Sequence, residues 1–153
     1  MITLLSRLKK AFPFIGSRPI TESDLFELCA SRGVNVVFAA EIRQGVYVRH
    51  ADGSDYIFLN PSLHGHSLIY VFAHEIAHMI LHPPSRARGV VLSFDGKRCS
   101  RINHNEAETA AALLMFPPVN IDDALLDARG LHDERLAELI GRALLYYSEY
   151  GKA

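Results

Sequence analysis

The sequence has little of what marks disulfide-rich, membrane-spanning or strongly charged proteins. Its two cysteines, Cys29 and Cys99, lie far apart and form no C-x-x-C pair, which excludes a disulfide framework and a four-cysteine metal site. Its longest apolar runs, such as residues 68–73, fall far short of the ~20 residues that a transmembrane helix needs. The 16 basic residues nearly balance the 17 acidic ones, so the overall charge gives no reason to expect direct contact with nucleic acid.

The first residues do not resemble a secretion signal. Positive charges at Arg7, Lys9 and Lys10 follow a very short apolar patch, which is the wrong order and too little apolar length for such a signal. Two cysteines without a pairing motif also fit reduced thiols. We therefore expect a soluble cytoplasmic protein; its oligomeric state is left open by the sequence.

A chain of 153 residues with 49% hydrophobic residues has the length and composition of one globular domain. Leu4, Leu5, Leu8 and Phe12 share one face of a short helix that Pro13 ends. We predict that residues 1–18 form an N-terminal amphipathic helix with a linker, and that residues 19–151 form a single domain.

Capping residues and hydrophobic periodicity predict an α+β fold within that domain. Thr21 with Asp24 three residues later is typical of a helix start, and Gly33 is typical of a helix end. Apolar segments rich in β-branched residues predict a small antiparallel sheet, and a mostly apolar segment predicts a buried central helix. The predicted strands cover residues 34–39, 45–50 and 55–60, with a further strand at 90–92, and the later helices cover 67–82, 105–116, 120–129 and a segment from 133.

The segment with the most chemical information is H-E-x-x-H, formed by His74, Glu75 and His78. Residues four apart stack on one face of a helix, so both imidazoles can direct a nitrogen at one ion about 2.1 Å away. Glu75 projects about 100° around the helix from His74, where it can take a proton from an attacking water. His82 continues the spacing of four but lies about 12 Å along the axis from His74. We therefore expect His82 to support the site or to cap the helix.

A third metal ligand must come from another part of the chain. The segment 104–109, at the predicted start of the next strong helix, offers His104, Glu106 and Glu108. Spacing alone does not decide which of the three is the third metal ligand, and we prefer Glu106. Cys99 is a weaker alternative that would close the site with a fourth protein ligand.

These residues resemble the ImmA/IrrE family of small zinc metallopeptidases. The resemblance rests on the strand ending at Asn60, the segment His74–His82 in the pattern H-E-x-x-H-x-x-x-H, and a later helix that contains N-E-A-E and ends in L-L-M-F-P. It covers about residues 20–120 and implies a minimal zincin-like domain, in which helices surround a small sheet and the H-E-x-x-H helix lies at the centre.

The resemblance also implies a ligand set and a substrate class. Zinc would be held by His74, His78 and a downstream glutamate, and known members cleave helix-turn-helix repressors. The family helix reads E-x-x-A-[DN]-x-F-A-x-x-L-L-M-P. An alignment without gaps puts His104 at the ligand position, whereas the loss of about two residues puts Glu106 there.

The leading hypothesis is accordingly a zinc-dependent endopeptidase with Glu75 as general base, acting on a protein substrate such as a transcriptional repressor. The rival hypothesis is a non-catalytic, zinc-stabilised binding module that sequesters a regulator or partner protein without cutting it.

Overall fold

The computed structural model describes residues 3–50, 52–83, 91–93 and 101–151. These residues contain both helices and a small sheet, which confirms the predicted α+β class. The chain divides into two compact units, Thr21–Ala107, here called the sheet unit, and Met1–Ile20 together with Glu108–Ala153, here called the helical unit. The predicted division between residues 18 and 19 stays a prediction.

The sheet unit begins with a helix whose ends are set by the predicted residues. Thr21 Oγ1 accepts a hydrogen bond from Asp24 N, and Asp24 Oδ2 accepts one from Thr21 N, so each side chain satisfies a backbone donor at the helix start. Gly33 ends the helix with a φ of 69°, a left-handed conformation that favours glycine. The elements of this unit are α2 (Glu22–Arg32), β1 (Asn35–Phe38), β2 (Gly45–Arg49), β3 (Asp55–Leu59), α3 (Gly65–Leu81) and β4 (Val91–Ser93).

The four strands form one sheet in the order β1-β3-β2-β4. β2 and β3 make an antiparallel hairpin in which Tyr47 lies opposite Ile57. β4 pairs antiparallel with β2, at the position where a short strand was expected. Asp55, at the start of β3, accepts hydrogen bonds from Tyr47 Oη and from the Arg49 guanidinium.

The sheet is mixed, which corrects the expectation of antiparallel pairing throughout. β1 pairs with β3 in parallel, with Val36 opposite Ile57. β1 does not neighbour β2, the next strand in the chain, but lies beyond β3. Because β1 runs opposite to β2, it has the same direction as β3. A burial pattern identifies strands but does not specify their order, so this pairing was not readable from the residues.

Helix α3 is the central buried helix that the sequence predicts. Twelve of its 17 residues are buried, and it packs against β2, β3 and α2. Phe72 is fully buried and meets the Phe26 ring edge-on at 5.0 Å between centroids. A helix that is apolar around most of its circumference must be covered on several sides, so polar residues on α3 are held inside the sheet unit.

The helical unit contains the remaining elements. Leu5 N donates to Tyr146 Oη, and Tyr147 Oη donates to the Phe116 carbonyl, so the last helix is tied to two other segments of this unit. Asp133 caps that helix as predicted, by accepting from Leu136 N. The elements are α1 (Leu4–Ala11), a 3-10 helix (Pro118–Asn120), α5 (Ile121–Gly130) and α6 (Glu134–Tyr150).

Helix α4, Arg101–Met115, begins in the sheet unit and ends in the helical unit. Its start corrects the prediction of a helix from about Asn105. His104 and Glu106 therefore lie within its first two turns.

None of the helices in the described ranges combines the length and the apolar composition that a membrane span requires.

Candidate metal centre

Two imidazoles of α3 face each other across one helical turn. His74 and His78 are fully buried, and their Nε2 atoms lie 3.2 Å apart. Two nitrogens bound to one tetrahedral zinc ion, each at 2.0–2.1 Å, are separated by roughly 3.3–3.4 Å. The separation in this protein therefore fits two ligands of the same ion.

A third imidazole approaches the pair from α4. The ring centroids of His74 and His104 lie 4.9 Å apart. Among the described residues, His74, His78 and His104 can each offer one ligand atom such that these atoms all lie within 4.8 Å of one another. Imidazole nitrogen is a preferred ligand of zinc and of several other divalent transition metals. The group thus fits a metal ion, and its chemistry does not by itself select zinc.

The electrostatics of the cluster keep His78 in the form that binds metal. Burial, with smaller contributions from the nearby His82 and His104, lowers the pKa of His78 to about 4. His78 is therefore neutral near pH 7. A histidine binds a metal ion through the lone pair of its neutral ring, so no proton has to be removed from His78 at that pH.

Glu75 lies next to His74 on α3 and is fully buried. Its side chain packs against the start of β2, where a Cβ atom built on Gly45 would lie 3.3 Å from Glu75 Cγ and 2.6 Å from Val71 Cγ1. Only a residue without a side chain leaves both neighbours in place. Gly45 thus provides the space in which the Glu75 side chain lies.

Glu106, the predicted third ligand, contacts a different histidine. Its Oε1 lies 3.0 Å from His82 Nε2, and His82 Nδ1 lies 3.3 Å from His78 Nδ1. His82 is the C-terminal capping residue of α3 and stands between Glu106 and the ring of His78. The role of Glu106 as a direct ligand stays a prediction.

Glu108, the other acidic candidate, is engaged by two arginines of α6. Its Oε1 lies 3.1 Å from Arg135 Nη2, and its Oε2 lies 2.8 Å from Arg142 Nη2. The carboxylate is buried, and buried carboxylates are usually paired with a cation in this way. This ion pair gives Glu108 a structural role within the helical unit.

The structure thus brings together His74 and His78, as predicted, and adds His104, which the sequence left as an alternative. A signal for His104 was present, since the alignment without gaps places it at the ligand position. Cys99 lies outside the described residues.

Comparisons with known proteins identify one family. A family model described as the IrrE N-terminal-like domain, of the Peptidase_M78 class, matches residues 29–142. This match includes α3 and α4 and hence every histidine of the cluster. A comparison with curated proteins and one with solved structures gave no significant match.

Proposed function

The chain belongs to the IrrE N-terminal-like peptidase family, and from this premise we propose that it is a zinc-dependent endopeptidase that cleaves a protein regulator, such as a helix-turn-helix repressor. The observation that carries the proposal is the group of three histidines whose ligand atoms lie within 4.8 Å of one another. Two of them, His74 and His78, lie within one turn of the buried Glu75 on α3, and His104 comes from α4.

The proposed protein ligands are His74, His78 and His104. Their support is the fit of the 3.2 Å Nε2 separation to a tetrahedral ion and the neutral state of His78. Catalytic zinc sites have three protein ligands and keep the fourth position open. When bound, the ion would polarise the scissile carbonyl and acidify the attacking water. Glu106 remains the alternative third ligand.

Glu75 is proposed as the general base. Its carboxylate is held on the buried face of α3 beside His74, so it can accept a proton from the attacking water at an oxygen. The same carboxylic acid then returns that proton to the leaving amine. Proton transfer of this kind contributes about 10²- to 10⁴-fold to the rate, so loss of the base should nearly stop cleavage.

The test compares the wild-type protein with a Glu75→Gln variant. Each is loaded with zinc and incubated with a lysate of the source cells, and newly formed protein N-termini are labelled and identified. We expect the wild type to produce new N-termini that a chelator suppresses, and the variant to bind one zinc ion while producing at least about 100-fold fewer.

A matched control is Glu27→Gln, which makes the same change at an exposed carboxylate of α2 and should leave cleavage unchanged. If zinc-loaded wild type produced no new N-termini, a binding module would be favoured. Equal cleavage by wild type and Glu75→Gln would remove Glu75 from the mechanism.

A further inference from the structure

Four side chains, joined by three contacts, form a hydrogen-bonded row that leads into the proposed metal centre. Glu106 Oε1 lies 3.0 Å from His82 Nε2, His82 Nδ1 lies 3.3 Å from His78 Nδ1, and His78 Nε2 lies 3.2 Å from His74 Nε2. His82 and His78 each use one ring nitrogen toward one neighbour and the other nitrogen toward the next. The row therefore links a half-exposed carboxylate to a fully buried imidazole.

We propose that Glu106 and His82 are positioning residues, which fix the tautomer of His78 so that its Nε2 lone pair faces the metal position. This proposal rests on the proposed function, because it assigns His78 as a metal ligand. It also gives a role to the last histidine of the H-E-x-x-H-x-x-x-H pattern, which the proposed mechanism does not use.

The direction of each hydrogen bond follows from the chemistry of the carboxylate. An ionised carboxylate can only accept, so His82 Nε2 donates to Glu106. In the neutral form of His82 one ring nitrogen donates and the other accepts, so with Nε2 donating to Glu106 the acceptor is Nδ1. His78 Nδ1 then donates to it, and the lone pair of His78 is left on Nε2.

The placement of His82 makes this row rigid. His82 is the capping residue of α3, and its backbone N–H donates to the His78 carbonyl at 2.8 Å. The His82 side chain is also mostly buried, with 11% of its surface exposed. Its ring is thus held at both the backbone and the side chain, so it can orient the ring of His78 as well as set its protonated nitrogen. Hydrogen bonds to the outer nitrogen of a metal-binding histidine commonly have this effect.

The first test needs neither metal nor substrate. The full chain is labelled with ¹⁵N-histidine, freed of metal with a chelator, and studied by long-range ¹H–¹⁵N correlation at pH 7.5. We expect His78 to carry its proton on Nδ1 in the wild type and to lose this preference in His82→Leu. Detection of His78 with its proton on Nε2 in the wild type would overturn the proposal.

The second test measures zinc affinity by competition with a chromogenic chelator. Loss of such a supporting hydrogen bond usually weakens metal binding about 10- to 100-fold, and we expect a loss in this range for His82→Leu and for Glu106→Leu. Glu106→Gln keeps an oxygen that can accept from His82 and should weaken binding less than Glu106→Leu does. His66→Leu, at an exposed histidine of the same helix, is the matched control and should bind zinc as the wild type does.

The variants also separate the two roles of Glu106. If Glu106 were a direct ligand, both Glu106 variants would lose zinc more than about 100-fold while His82→Leu bound it normally, and the proposal would be wrong. A wild type that bound no zinc but showed the Nδ1 tautomer of His78 would refute the proposed function and leave the hydrogen-bonded row standing. If the wild type cleaves protein and His82→Leu binds zinc with wild-type affinity, the positioning role of His82 and Glu106 is refuted and the proposed function stands.

Discussion

Replacement of Gly45 by alanine tests whether the start of β2 leaves space for the Glu75 side chain. The added methyl group would lie 2.6 Å from Val71 Cγ1 and 3.3 Å from Glu75 Cγ. Val71 is buried and, being β-branched in a helix, has one strongly preferred rotamer, so it cannot turn away from the new methyl group. The strain must be relieved by a shift of β2 relative to α3, which also moves Glu75.

Overpacking of a well-packed core by one methyl group costs typically about 1–3 kcal/mol. For a chain of this length, each kcal/mol lowers the melting temperature by about 2–4 °C. A misplacement of about 1 Å at a catalytic group can cost about 100-fold in rate, so a shift of a few tenths of an ångström predicts a loss near tenfold. Gly45→Ala should therefore melt several degrees lower and cleave about tenfold more slowly.

The assay combines thermal unfolding with the rate at which new protein N-termini appear. Gly141→Ala is the control, because a Cβ there meets nothing within 4 Å and alanine is favoured over glycine inside a helix by about 1 kcal/mol. In a double-mutant cycle, Val71→Ala should relieve part of the cost of Gly45→Ala, with a coupling of at least about 1 kcal/mol. Unchanged stability and cleavage in Gly45→Ala, or strictly additive effects in the cycle, would show that a methyl group at position 45 does not displace Val71 and Glu75.

Two further predictions concern the charged Glu108 and the titratable His78. Glu108→Gln weakens the pairing with Arg135 and Arg142 and should cost about 1–2 kcal/mol in unfolding free energy without changing zinc affinity; a lost zinc site would instead make Glu108 a ligand. The pKa of His78 is about 4 in the folded protein and about 6.5 in the unfolded chain. Between these pH values the unfolded chain binds more protons than the folded protein, so the stability of the fold decreases as the pH drops. The unfolding free energy of the metal-free protein is measured with urea at pH 7.5 and at pH 5.0. Between these pH values, the wild type should lose roughly 2 kcal/mol more of this free energy than His78→Asn does. Equal losses would contradict the lowered pKa of His78.

Local signals predicted most of the helices and strands because they act over a few residues. The pair of Thr21 and Asp24 sets the start of α2, and Gly33 sets its end. The apolar composition of residues 67–82 predicted the buried helix α3. The parallel pairing of β1 with β3 was not predictable in this way, since it depends on which edge of the hairpin the first strand joins.

The candidate site shows the same division between local and distant information. His74 and His78 lie on one helix turn, so their spacing alone places both side chains on one face. The choice among His104, Glu106 and Glu108 depends on what each meets from other elements. Glu108 contacts arginines of α6, and Glu106 contacts His82. Neither contact can be predicted from the sequence of α4 alone.

We propose that three imidazoles, from His74, His78 and His104, hold one zinc ion with an open position for water. Zinc-edge X-ray absorption of the loaded protein tests it most directly, together with the same spectrum of His104→Ala. We expect one zinc per chain, coordinated by nitrogen and oxygen atoms with three imidazole scattering patterns, and the loss of one such pattern in the variant. Two imidazoles with a carboxylate in the wild type, unchanged by the variant, would contradict it.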